Sequence, residues 1–150
     1  MTDKVGPYFC TAPWTHTYVS PQGERRLCCA SREDASFQKQ YIDAGDSDNT
    51  EFAPISLDEH WNSEYMKDIR KRILAGEKIS QCDVCNNQVL NLHTYKDYFT
   101  KNLFSHKVED IIASTREDGY TSMQPISFDY RISNLCNFKC RMCGEQLSSS

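Results

Sequence analysis

The chain has 150 residues, 17 Lys and Arg against 21 Asp and Glu, a net charge of −4, 39% hydrophobic residues and a mean hydropathy of −0.66. No stretch approaches the roughly 18 consecutive apolar residues of a membrane span, the N-terminus lacks the apolar core of a signal peptide, and there is no basic tract. The reading is therefore cytoplasmic, with membrane excluded and nucleic acid disfavoured as a partner.

Eight cysteines in such a chain need an explanation. A reducing compartment does not sustain a disulfide framework, so metal binding or catalysis is the default use. The thiols are clustered as Cys10, then Cys28 and Cys29, then Cys82 and Cys85, then Cys136, Cys140 and Cys143.

In chain order, Thr15 to Ser20 and Glu24 to Cys29 read as the strands of a β-hairpin around Pro21-Gln22-Gly23. Such a hairpin brings Cys10 and Cys28 to one end. Residues 30 to 56 are rich in Ser, Asp, Gln and Gly and read as a long surface connection. Ser56 with Glu59 forms a capping box, and Leu57, Trp61, Tyr65, Ile69 and Ile73 repeat every four residues up to the stop at Gly76, which predicts one helix. Val89, Leu92, Tyr95, Phe99 and Leu103 predict a second over Asn86 to Phe104, and Val108, Ile111 and Ile112 a third over His106 to Thr115. Ile126 to Ser133 alternates with period two, predicting a strand that leads into Cys136. The expected fold class is α+β.

Cys136-Asn-Phe-Lys-Cys140-Arg-Met-Cys143 is a C-x3-C-x2-C run directly after a predicted strand. Three thiolates on one loop can ligate three irons of a [4Fe-4S] cluster and leave the fourth open to a small ligand. In spacing, in position and in the lead-in Asp129-Tyr-Arg-Ile-Ser-Asn-Leu-Cys136-Asn, this segment resembles the first barrel strand and cluster loop of the radical S-adenosylmethionine (radical SAM) superfamily. The resemblance implies SAM at the open iron, with Cys136, Cys140 and Cys143 holding the catalytic cluster. By the same resemblance Met142 is expected to pack beside the adenine, where the family most often has an aromatic residue. It further implies a radical SAM enzyme that cleaves SAM reductively to a 5′-deoxyadenosyl radical, which abstracts hydrogen from a substrate. A zinc knuckle would need a fourth ligand, and no Cys or His follows Cys143.

Cys10 is followed by twelve residues, Gly23, four residues and Cys28, with Cys82-Asp-Val-Cys85 further on. This pattern resembles the twitch domain, the shortened relative of the SPASM domain, and implies an auxiliary [4Fe-4S] cluster on Cys10, Cys28, Cys82 and Cys85. A four-cysteine zinc site uses the same residue types, so a non-enzymatic zinc-binding interaction module is the alternative. Cys29 could replace Cys28 as ligand or be a small core residue. His16, His60, His93 and His106 share no spacing with the thiols and read as core or solvated side chains. Lys101 and Lys107 read as solvated faces.

The resemblance thus implies a twitch-like auxiliary cluster domain over residues 1–124, of hairpin plus helices, followed over 125–150 by the start of a truncated α/β radical SAM partial barrel. It implies an auxiliary cluster for electron relay or substrate anchoring, a peptide or protein substrate, and an electron donor such as flavodoxin or ferredoxin. Because only seven residues follow Cys143, the chain is expected to be an N-terminal fragment. The strand before Cys136 is then expected to lack a parallel partner.

Overall fold

A computed structural model describes residues 5–20, 24–33, 55–87 and 94–131. The expectations for Pro21 to Gly23, for most of the 30–56 connection, for Val89, Leu92 and His93, and for Met142 and the Cys136, Cys140 and Cys143 loop lie outside the described residues.

The hairpin forms and is preceded by a feature the sequence reading did not include. Helix α1 (Ala12–Thr15), started by Pro13 in its first turn, runs straight into strand β1 (His16–Val19). Strand β2 (Arg25–Arg26) pairs antiparallel with β1, Tyr18 opposite Arg26 and Val19 opposite Arg25. Strand β3 (Ser127–Tyr130) overturns the expectation of an unpartnered strand: it lies parallel to β1, with His16 opposite Ser127 and Val19 opposite Tyr130. The sheet order is β2-β1-β3. The intervening helices supply the crossover that a parallel pair requires. Ile126 N–H to the Thr15 carbonyl and Arg131 N–H to the Val19 carbonyl, both 2.9 Å, extend the ladder at each end. All four β1 residues are buried, whereas Ile126, Phe128 and Tyr130 are 51%, 56% and 41% exposed on one face of β3, where Arg25 Nη1 donates to the Tyr130 hydroxyl at 2.9 Å.

The predicted helix after Ser56 is two helices. Ser56 caps α2 (Leu57–Trp61) with the full capping box, but Ser63 supplies a second N-cap, accepting from Met66 N–H at 3.3 Å, and starts α3 (Glu64–Leu74). Asn62, at the break, is occupied elsewhere. Its Nδ2 donates to the Thr121 carbonyl (3.1 Å), and its Oδ1 accepts from Thr121 N–H (3.1 Å) and from Arg70 Nη1 (3.0 Å). Helix α3 ends as the glycine stop predicts. Gly76, at φ 78°, donates to the Ile73 carbonyl and Glu77 N–H to the Arg72 carbonyl, the paired bonds of a Schellman cap.

The expected helix over Asn86 to Phe104 is also corrected. A 3-10 turn (Ser80–Cys82) leads into α4 (Asp83–Asn86). Then α5 (Tyr95–Asp97), capped by Thr94, widens into a π-helical turn (Tyr98–Leu103) closed by Phe104 N–H to the Phe99 carbonyl at 2.9 Å. Phe99 is buried while Tyr95 and Leu103 are exposed, so the anticipated apolar stripe is not a single face. The third predicted helix is present as a 3-10 turn (Ser105–Lys107) and α6 (Val108–Ser114), with Val108 and Ile111 buried and Ile112 exposed.

Trp14, Leu27, Met66, Ile69, Ile73, Ile79 and Ile111 form the core between α1, α3 and α6. Arg70 is fully buried within it. Its guanidinium lies 4.7 Å from the Trp61 ring centroid and its Nε donates to the Pro13 carbonyl at 2.9 Å, joining α3 to α1. Gly119 closes the turn between the bridged residues Thr115 and Thr121 at φ 88°, where an added Cβ would lie 2.0 Å from the Lys67 carbonyl oxygen. Among the described residues, no helix is long and apolar enough to cross a membrane.

Candidate metal centre

Cys10, Cys28, Cys82 and Cys85 line one cavity, together with Leu27, Tyr95 and Phe99. Three separate segments converge there, and each is held differently. Cys10 precedes α1, and its Sγ accepts from Ala12 N–H at 3.5 Å. Next to it, Thr100 of the π-helical turn takes the Thr11 N–H on its Oγ1 at 3.2 Å.

Cys28 sits in a loop after β2, at the start of a turn in which Ser31 N–H donates to the Cys28 carbonyl at 3.2 Å. Cys82 ends the 3-10 turn and Cys85 lies one turn on in α4, the spacing that puts two side chains on the same side of a helical segment. Arg32 N–H to the Gln81 carbonyl, 3.0 Å, ties the second segment to the third.

Burial keeps the Cys10, Cys28 and Cys82 thiols neutral in the absence of a cation. Burial pushes Cys10 up to about 12, and the neighbouring Cys82 and Cys85 add to the rise against the Ala12 N–H and the Thr100 hydroxyl. Cys82 is pushed up to about 12 by burial and then by Cys28 and Cys85, with Lys96 opposing. Burial and then Cys10 raise Cys28 as well. Such a set ionises when a positive centre compensates the crowded sulfurs, so uptake of metal releases protons. The donors fit iron or zinc: all four are free sulfurs around one apolar cavity. Among the described residues, no group of three or more His, Cys, Asp or Glu has the arrangement that holds a metal ion.

Cys29 is not among the residues that line the cavity. It is half-buried and not a core residue, bonded to the Tyr95 hydroxyl, with its thiol raised by burial and by Asp129. The described histidines take no part. His16 Nδ1 is 2.9 Å from Ser127 Oγ across the sheet, His60 is buried beside Arg25 and Arg70, and His106 is exposed. Lys101 is exposed and paired with Asp97, and Lys107 bonds Asp110.

Sequence reasoning missed Glu33. It lies near the start of the expected surface connection but is buried, and it accepts hydrogen bonds from Leu27 N–H, Ser31 Oγ and Tyr65 Oη. One acid in the run Ser31-Arg32-Glu33-Asp34 carries no signal that separates it from its neighbours.

The described residues thus form a small α+β fold in which four cysteines from three segments line one cavity. Residues 10–87, just over half of the chain, match the SPASM family, an iron-sulfur cluster-binding domain. The chain belongs to this family. The matched span begins at Cys10 and ends just after Cys85. No curated protein and no solved structure matches the chain.

Proposed function

We propose that Cys10, Cys28, Cys82 and Cys85 hold an auxiliary [4Fe-4S] cluster, and that Cys136, Cys140 and Cys143 hold a second, SAM-binding cluster in a radical SAM enzyme. On this reading residues 1–124 form the auxiliary domain and residues 125–150 begin the radical SAM core. The carrying observation is that the four thiols lining one cavity all fall within the span that matches an iron-sulfur cluster-binding family.

Support for the second site comes from β3, the strand that precedes the C-x3-C-x2-C loop. The chemistry a SAM-binding cluster supplies when bound is one-electron reductive cleavage of SAM and hydrogen abstraction from a substrate, by family likeness a peptide or protein. This chain's residues hold and shield the centres. Leu27 and Phe99 keep the auxiliary cavity apolar, and Ala12 N–H and Thr100 aim donors at the Cys10 sulfur. On this reading Met142, directly before Cys143, packs on the adenine of SAM. Reduction would come from a flavodoxin- or ferredoxin-like donor.

The test is anaerobic reconstitution with iron and sulfide, read by iron and sulfide content, visible absorption and electron paramagnetic resonance. The expected result is two clusters, with SAM perturbing the spectrum of one. Cys136→Ala/Cys140→Ala/Cys143→Ala should abolish the SAM response, and Cys82→Ala/Cys85→Ala should preserve it. A colourless protein that purifies with zinc and rejects iron would establish the interaction module instead.

A further inference from the structure

Of the three thiol-bearing segments, the one carrying Cys28 has the least regular structure. Leu27–Glu33 belongs to no helix or strand, and yet Leu27, Ser31 and Glu33 are buried within it. Something other than a backbone ladder fixes it, and the contacts converge on one carboxylate. Glu33 Oε2 takes the Leu27 N–H at 2.8 Å and the Ser31 hydroxyl at 2.7 Å. Glu33 Oε1 takes the Tyr65 hydroxyl at 3.0 Å.

The Ser31 hydroxyl also lies 2.7 Å from the Cys28 carbonyl, but it has a single hydrogen. That carbonyl already accepts from Ser31 N–H, so the hydrogen goes to the carboxylate, the stronger acceptor. The Ser31 oxygen then accepts Cys28 N–H at 3.3 Å. Cys28 is therefore bracketed: the residue before it is bonded directly to Glu33, and its own N–H is bonded to Glu33 through Ser31. Tyr65 anchors the arrangement on α3, whose Met66, Ile69 and Ile73 belong to the core.

We propose that Glu33 is a positioning residue for the auxiliary centre, clasping the Cys28 loop to α3 so that the Cys28 sulfur is presented to the cavity it shares with Cys10, Cys82 and Cys85. The proposal rests on the cluster reading above for its function, but the clasp itself is a property of the protein with or without a metal. Hydrogen-bonding partners one step behind a ligand fix its orientation, and their loss typically costs roughly 10- to 100-fold in metal affinity. Neither Cys10 nor Cys85 depends on Glu33, because Ala12 N–H and the α4 turn hold them.

The experiment uses the full chain with Glu33→Ala, Glu33→Gln and Tyr65→Phe, and it has two arms. In the metal-free arm, alkylation of each cysteine is followed by mass spectrometry under anaerobic conditions. Cys28 is expected to react about 10-fold faster in Glu33→Ala, with Cys10 and Cys85 unchanged and Glu33→Gln close to the parent. In the reconstituted arm, Glu33→Ala is expected to lose iron to a chelator about 10-fold faster than the parent chain, and Glu33→Gln to keep its iron with an altered midpoint potential.

Unchanged Cys28 alkylation in Glu33→Ala and Tyr65→Phe, or equal acceleration at all the thiols in both, would overturn the clasp. If the parent chain takes up no iron-sulfur centre, the cluster reading fails and the alkylation arm still decides the role of Glu33.

Discussion

The loop that carries Cys28 and the helical segment that carries Cys82 and Cys85 face the same cavity but are fixed by different means. In the helical segment, Cys82 N–H bonds to the Ile79 carbonyl and Asn87 N–H to the Asp83 carbonyl, so short-range backbone bonds carry both cysteines. In the loop, the side chains of Glu33, Ser31 and Tyr65 do that work. Backbone-held geometry is spread over many bonds and tolerates exposed substitutions; side-chain-held geometry depends on a few groups. The two segments should therefore fail separately, and four measurements can break or sharpen that contrast.

The largest expected effect removes the contrast by unfolding both segments together. Trp14 is fully buried at the end of α1, stacked on Phe9 and donating from Nε1 to Thr115 Oγ1 at 2.8 Å. Trp14→Ala should cost about 3–5 kcal/mol in urea unfolding, with both cysteine segments losing protection at the same denaturant concentration.

Acid gives the next effect. Burial, then Arg25 and Arg70, lower His60 to about 4, and its Nε2 makes no hydrogen bond among the described residues. In the unfolded chain the imidazole binds its proton near pH 6.5. Between about pH 6.5 and 4 the unfolded state thus holds the extra proton, so stability falls with falling pH and levels off below the folded value. The total loss is roughly 3 kcal/mol. Glu33, raised by burial, contributes with the opposite sign, its stabilisation being lost as pH rises. The check is the difference in urea stability between the parent and His60→Gln across this range, which cancels the Glu33 contribution. A difference independent of pH would remove His60 from the account.

Tyr65→Phe then separates the segments. Loss of the hydroxyl from Glu33 should cost about 2 kcal/mol. Amide exchange should rise more in residues 27–33 than in 79–87, which the Tyr65 hydroxyl meets only through the Gln81 side chain. Equal acceleration in both would mean that the Arg32–Gln81 backbone bond couples them more tightly than the side-chain clasp distinguishes them.

The smallest effect is a control on the helices. Ser56→Ala removes the cap of α2, which lies outside both segments, and should cost about 1 kcal/mol with no change in exchange at residues 27–33 or 79–87.

Much of this was legible in the sequence because it was written in local pattern. The Ser56–Glu59 capping box, the Gly76 stop and the antiparallel pairing of the first two strands are short-range signals, and each is present among the described residues. The single helix over Leu57 to Ile73 failed because Trp61 and Tyr65 keep the apolar period across a break made by the polar Asn62 and Ser63. The helix over Asn86 to Phe104 failed for a similar reason: a π-helical turn shifts the phase, which spacing alone cannot reveal. The burial of Glu33 and the β1–β3 pairing were illegible because both depend on residues distant in the chain.

That pairing also has a kinetic consequence. The His16–Ser127 hydrogen bond spans 111 positions, so the sheet has one of the longest loops this chain can form to close. Contacts of this separation form late, because the loop-closure entropy precedes the reward. On the ribosome, every cysteine of the 10–87 span emerges before β3 exists to complete the sheet. The order of synthesis therefore opens an interval in which the four thiols are available while β1 still has a free edge, and metal can be delivered before the sheet is finished.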